Sequence, residues 1–140
     1  MVVPLAVVTR RERGQALTEV AIVLPALTLL ILGSLQAGLL GYAAMVAHEA
    51  AFRGVRAAAV ASPAKRERVA KLEAAVAVAG APGLSLAGVI VREPVARFPR
   101  AAAEVRRLEM VVRVGAPRLI PVRVAWVAEG RAILPMEPSW

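Results

Sequence analysis

The sequence predicts an α+β protein in which a long apolar N-terminal helix precedes a small domain of one helix and an antiparallel sheet. Three observations lead to this prediction. Residues 20–47 carry no charged side chain, residues 64–79 show a helical pattern that ends at Gly80, and the chain after Leu84 alternates apolar with polar side chains. The 140 residues therefore divide into a long helix over 15–61 and a small domain over 62–140.

The composition excludes most enzyme chemistries. Apolar residues make up 59% of the chain, there is no Cys, Asp or Asn, and His48 is the single histidine. Without Cys there is no disulfide or thiolate metal site, and without Asp the usual hydrolase triads are nearly excluded. We therefore expect no catalytic residue, no metal site and no cofactor, and we expect that the protein is not an enzyme.

The uncharged run from Val20 to Ala47 has the length of a membrane span. A helix needs about 20 apolar residues to cross the hydrocarbon core of a bilayer, and this run has 28. The apolar core of a cleaved secretory signal is about 7–15 residues, which makes that alternative the poorer one. Thr28, Ser34 and Gln36 are tolerable polar interruptions, and the two hydroxyls can bond to carbonyls of the same helix. We expect one transmembrane helix, with membrane lipid as a partner.

The charges that flank the span predict its orientation. Three arginines precede it and two follow it closely: Arg10, Arg11 and Arg13, then Arg53 and Arg56. A short basic N-terminal segment usually stays in the cytoplasm and sets the orientation. We therefore expect residues 50–140 to lie outside the cytoplasm. The net charge of +8 suits contact with anionic lipid or nucleic acid without deciding between them.

The junction before the span carries a family resemblance. It reads Arg10-Arg11-Glu12-Arg13-Gly14-Gln15-Ala16-Leu17-Thr18-Glu19 and then becomes apolar. This junction resembles the processing site of type IV prepilins, in which a basic stretch is followed by a glycine, four residues, a glutamate and a long apolar helix. The longer stretch through Val23-Leu24-Pro25, with the later segment Ala50–Ala59, is similar to the TadE-like family of pilus-assembly pseudopilins. The resemblance covers about Arg10 to Val60.

This resemblance implies a pilin-like fold and a function in pilus assembly. It implies that residues 1–14 are a leader, that a prepilin peptidase cuts after Gly14, and that Gln15 becomes the mature N-terminus. Glu19 would then register the subunit against the amino group of a neighbouring subunit. The implied partners are the peptidase, other pilin subunits and pilus-assembly membrane proteins. The implied location is the inner membrane and, after assembly, an extracellular pilus.

The physical chemistry of Glu19 agrees with that role. A carboxylate at full depth in a bilayer costs about 2.5–3.5 kcal/mol, and less near the interface, so such a residue is a candidate functional site. An ammonium about 4 Å away offsets much of this cost in a low dielectric. The alternative is an interfacial residue at the start of a helix, where the helix dipole favours an anion.

Small residues recur every fourth position later in the span. Gly33, Ala37 and Gly41 share one side of the helix, which allows another helix to approach closely. We interpret this side as a helix-packing face, with chance spacing in an Ala- and Gly-rich chain as the alternative. Pro25 removes one backbone hydrogen bond and is expected to bend or loosen the early helix.

Turn signals and periodicity predict the elements of the exported domain. Ser62-Pro63 indicates the start of a second helix over 64–79, with an apolar stripe of Val69, Leu72 and Val76. Strands are predicted over 84–91, 108–114, 122–126 and 131–136, and Glu129-Gly130 is predicted to form a turn before the last of them.

The leading hypothesis is a minor pilin or pseudopilin of a type IV, Tad-like pilus. A second hypothesis is an unprocessed single-pass subunit of another envelope complex, with its domain as a binding module. A third is a pilus component that binds DNA through a cluster of Arg92, Arg97, Arg100, Arg106 and Arg107. Since Phe98 is the only aromatic residue in that cluster, a solvated basic face is the favoured interpretation.

Overall fold

The computed structural model describes residues 10–98, 103–120 and 124–136. Residues 1–9 of the predicted leader, Arg100 of the basic cluster and Val122 of a predicted strand lie outside the described residues. The elements in chain order are α1 (Arg10–Val60), a 3₁₀ turn (Pro63–Lys65), α2 (Arg66–Ala79), β1 (Ser85–Arg92), β2 (Val95–Phe98), β3 (Ala103–Gly115) and β4 (Val127–Pro135). The predicted α+β class is confirmed.

Helix α1 is one element of 51 residues, about 77 Å long at 1.5 Å per residue. It is continuous through Pro25. The hydroxyls of Thr28 and Ser34 each donate a hydrogen bond of 2.8 Å to the carbonyl four residues earlier, as predicted. Side chains from Gly14 to Ile31 are exposed, whereas the domain covers one side of the helix from Gln36 onward. Only the second half of α1 therefore belongs to the folded domain.

Strand β3 lies at the centre of an antiparallel sheet. On one edge it pairs with β1, from Ser85 opposite Gly115 to Arg92 opposite Glu109, and then with β2. On the other edge it pairs with the whole of β4, from Arg107 opposite Pro135 to Gly115 opposite Val127. The start of β1, the end of β3 and the start of β4 therefore share one end of the sheet.

The core lies between β3 and the second half of α1. Leu108, Met110, Val112 and Val114 are all fully buried, which confirms the alternation predicted for this strand. The helix side of the core consists mainly of alanines and includes one valine. These residues are Ala43, Ala47, Ala50, Ala51, Val55 and Ala58. Small side chains on the helix let the sheet lie close to its backbone.

The buried face of α2 differs from the predicted one. Ala70, Ala74 and Val78 are buried, whereas Leu72 and Val76 are 61% and 59% exposed. The reason is the close approach of α2 to α1 at Gly54. A Cβ placed on Gly54 would lie 3.0 Å from the carbonyl oxygen of Ala70. At this separation only small side chains fit between the two helices.

The strands also differ from the prediction in three places. Residues 124–126 are not a strand, and the Trp126 carbonyl accepts a hydrogen bond of 2.9 Å from the Ala116 amide. Strand β2 was not predicted; it directly follows Pro94, and prolines are compatible with the short edge strand that β2 forms. Gly130 lies inside β4 instead of in a turn.

A glycine occupies position 130 of β4 because the strand contacts helix α1 there. A Cβ placed there would overlap backbone atoms of Ala47 and His48. Glycine in a strand commonly marks such a close approach of another backbone.

Replacing Gly130 with Ala is therefore expected to destabilise the domain strongly. Overpacking usually costs about 1–3 kcal/mol, and the upper part of this range is expected because the opposing atoms belong to a helix backbone. The measurement is the thermal unfolding midpoint of the purified protein in detergent. Gly88→Ala is the matched control, because a Cβ on Gly88 in β1 meets nothing within 4 Å. Equal midpoints for the two variants would contradict the proposed contact.

Candidate assembly and membrane site

The first half of α1 projects beyond the folded domain. We call residues 14–35 the free segment, since its side chains are exposed or half-exposed. Its most apolar window has a mean hydropathy of 2.2 and no buried residue, which is unlike the core helix of a soluble protein. At about 33 Å the free segment matches the hydrocarbon core of a bilayer, about 30 Å thick. By length and composition, this helix could span a membrane.

Gly14 lies in the first turns of α1, where the structure gives no packing reason for a glycine. A Cβ at this position would meet nothing within 4 Å. Glycine inside a helix costs about 0.5–1 kcal/mol relative to alanine. The Gly14 carbonyl accepts a hydrogen bond of 2.6 Å from the Thr18 hydroxyl. The predicted cleavage site therefore lies in regular helix, and Gly14 lowers the stability of the helix at this point.

Glu19 is the one charged residue in the free segment. Its side chain is exposed, and it adjoins Val20, Val23 and Leu24 in a shallow apolar depression. Among the described side chains, no ion pair involves Glu19. Glu19 also lies four residues after Gln15, so both occupy one side of the helix. The geometry leaves this carboxylate available to a cation from outside the chain.

The small-residue side of α1 remains open. Gly33 is half-buried, Ala37 and Gly41 are exposed, and a Cβ on either glycine would meet nothing within 4 Å. The domain covers a neighbouring side of the helix at Gln36 and Ala43. The fold of one subunit therefore does not use the small-residue side. Its role in helix packing stays a prediction.

Gln36 is a residue whose role the sequence analysis missed. It is 1% exposed, and both ends of its amide are paired with the loop after β3. Its Nε2 donates to the Pro117 carbonyl at 3.2 Å, and its Oε1 accepts from the Leu119 amide at 2.9 Å. A glutamine inside an apolar run was the available signal, because an amide without water needs partners. Gln36 thus fixes the loop to the helix where the free segment ends.

Replacing Gln36 with Leu is expected to loosen this loop. The substitution leaves the Pro117 carbonyl and the Leu119 amide unpaired, which costs about 1–3 kcal/mol when such groups are buried. Hydrogen exchange of the Leu119 amide, followed by mass spectrometry, measures the effect. Ser34→Ala is the control, because Ser34 bonds only within its own helix turn. Unchanged exchange at Leu119 in the Leu variant would argue against the anchoring role.

The remaining predicted residues do not converge on a catalytic centre in the described part of the chain. His48 is exposed in a groove beside Arg131, and no group of three His, Cys, Asp or Glu side chains that could hold a metal occurs among the described residues. Arg92 and Arg106 of the basic cluster are exposed. Acidic residues lie nearby, since Glu93 pairs with Arg66 at 3.4 Å and Glu109 with Arg131 at 2.8 Å.

An apolar helix that projects from a small α+β domain, with a single carboxylate in its free segment, is the pilin-like arrangement that the resemblance implies. Residues 14–56 match the family model described as TadE-like protein. This match over residues 14–56 confirms the resemblance drawn from the sequence. No curated protein and no solved structure matches the chain.

Proposed function

We propose that this protein is a minor pilin or pseudopilin of a Tad-like type IV pilus. It is processed after Gly14, anchored in the inner membrane by the free segment with its domain outside the cytoplasm, and assembled through α1. The observation that supports this proposal is the family match over residues 14–56, which begins at Gly14 and includes the whole free segment. The protein acts as a structural subunit and as the substrate of a peptidase, not as an enzyme.

Processing is the first step of the proposed function. A prepilin peptidase hydrolyses the Gly14–Gln15 bond and removes the basic leader. The glycine lowers the cost of unwinding this part of α1, because a helix with glycine in its interior is less stable. Since a Cβ on Gly14 would meet none of the described atoms within 4 Å, the domain need not unfold when the bond is presented. The product carries a new ammonium group on Gln15 at the edge of the hydrocarbon.

Assembly is the second step, and it uses two opposite charges. The Gln15 ammonium and the Glu19 carboxylate are each costly at the edge of a bilayer or in the core of a filament. An ion pair between Glu19 of one subunit and Gln15 of the next offsets both costs in a low dielectric. Such a pair also fixes the axial register between the two helices. The open side at Gly33, Ala37 and Gly41 gives the second helix a surface for close approach.

The mature N-terminus tests the proposal. The full chain is expressed in a host that contains a prepilin peptidase, and the purified protein is analysed by mass spectrometry of its N-terminal peptide. A mature chain that begins at Gln15 is expected. A chain that keeps Met1 in the presence of an active peptidase would overturn the proposal. It would favour the unprocessed single-pass subunit, with its domain as a binding module.

A further inference from the structure

The domain meets the free segment at one end of the sheet. The two hydrogen bonds of Gln36 hold the loop after β3 beside the helix at this point. The register places Ser85 of β1 and Val127 of β4 on either side of Gly115, the last residue of β3. Farther along the helix, Gly130 of β4 contacts α1 at Ala47. The end of the sheet at Gly115 is therefore the end that faces the free segment.

Several exposed apolar side chains lie at this end. We call Leu86, Leu119, Val124 and Val127 the proximal rim; they are 39%, 40%, 51% and 42% exposed. Among the strand and loop side chains whose exposure the structure describes, which exclude those of residues 95–105, Ile133 is the one other large apolar side chain that is comparably exposed. Arg118, next to Leu119, is also exposed and adds a positive charge. The proximal rim thus places exposed apolar side chains on the end of the domain that faces the free segment.

The depth of the rim follows from the length of the free segment. If residues 14–35 cross a hydrocarbon core of about 30 Å, Gln36 reaches the level of the lipid headgroups. The loop that Gln36 holds then lies at the same level. Apolar side chains are stabilised at the boundary between headgroups and acyl chains, and a basic side chain beside them is attracted by anionic lipid.

We propose that the proximal rim is a membrane-docking surface, which rests on the outer face of the same bilayer that α1 crosses. Its lipid partner is anionic phospholipid, whose headgroups lie beside Arg118. The contact holds the domain in a fixed orientation against the membrane before assembly. The inference rests on the proposed membrane insertion of the free segment, and the experiment below separates the two.

Because the chain contains no cysteine, a single introduced cysteine can be spin-labelled without removing any native residue. Single-cysteine variants Leu119→Cys, Ile133→Cys and Leu27→Cys of the full chain are labelled with a nitroxide. They are reconstituted in vesicles of phosphatidylcholine and phosphatidylglycerol. Collision with oxygen reports lipid, and collision with a water-soluble nickel complex reports solvent. The oxygen-to-nickel ratio at 119 is expected to exceed the ratio at 133, its exposed counterpart on β4, severalfold. The ratio at 27 is expected to be the highest.

The three positions distinguish the possible failures. A lipid signal at 27 together with a solvent signal at 119 would overturn the docking surface and leave membrane insertion intact. A solvent signal at 27 would overturn insertion itself. Protection of position 119 from both reagents would mean that protein covers the rim, which also overturns the inference. Val124→Cys repeats the measurement at a second rim position, so that a local disturbance at 119 does not decide the outcome.

The charge contribution has its own comparison. One basic residue near an anionic surface contributes about fivefold in binding, so Arg118→Glu is expected to lower the ratio of docked to undocked protein by at least about this factor. The label at Val124→Cys reports the docked fraction. The decrease is expected in vesicles that contain phosphatidylglycerol and not in phosphatidylcholine alone. An equal effect in both kinds of vesicle would contradict the assignment of anionic lipid.

Discussion

Replacing Glu19 with Gln is expected to lower incorporation into filaments by more than about a hundredfold, while membrane insertion and cleavage after Gly14 persist. The variant keeps the size and hydrogen-bonding capacity of the side chain and removes its charge. A buried ammonium without a partner costs about 3–5 kcal/mol, and each 1.4 kcal/mol is a factor of about ten. Quantitative immunoblotting of the sheared pilus fraction against the membrane fraction measures incorporation.

The matched control for this variant is Glu49→Gln, which makes the same chemical change on the same helix. Glu49 pairs with Arg53 at 2.6 Å on the exposed surface of α1. Such a pair contributes about 0.3–0.5 kcal/mol, so near-normal assembly is expected. If Glu19→Gln assembles as efficiently as this control, the registration role of Glu19 is wrong. The open helix side and the domain would then have to determine assembly alone.

Replacing Gly14 with Val is expected to abolish processing and, as a consequence, assembly. Space is available for the side chain, because a Cβ at Gly14 meets nothing within 4 Å. The chain should therefore fold and insert normally, and the loss of cleavage would reflect recognition by the peptidase. Without cleavage, the Gln15 nitrogen stays in a peptide bond and provides no ammonium for Glu19. The intact mass of the membrane-bound protein measures the result.

Gly33→Val is the control for processing, since it makes the same substitution on the same helix and a Cβ at Gly33 also meets nothing within 4 Å. It is expected to be cleaved as the unmodified chain is. If the Gly14→Val variant is cleaved at the normal rate, the processing site must lie elsewhere in the chain. The two main variants also separate the two steps, because Glu19→Gln is processed without assembling and Gly14→Val undergoes neither step.

The sequence by itself determined the features that depend on local pattern. The apolar run predicted a long helix. Its length and lack of charge can be read from the sequence, without knowing which other part of the chain packs against it. The alternation at Leu108, Met110, Val112 and Val114 predicted a strand with one buried face, and all four residues are buried. The pattern around Gly14 and Glu19 indicated a resemblance to the TadE-like family, and the match over residues 14–56 confirms this resemblance.

The tertiary structure alone decided the features that depend on what lies opposite a residue. Gln36 differs from a tolerated polar interruption only because Pro117 and Leu119, far away in the sequence, provide both partners of its amide. Gly130 resembles a turn residue until the backbone of α1 is seen against it. The buried face of α2 follows from its close approach to Gly54, where small alanines fit and Leu72 does not. Local periodicity indicates which side chains share a face, but the separation between elements determines which face is buried.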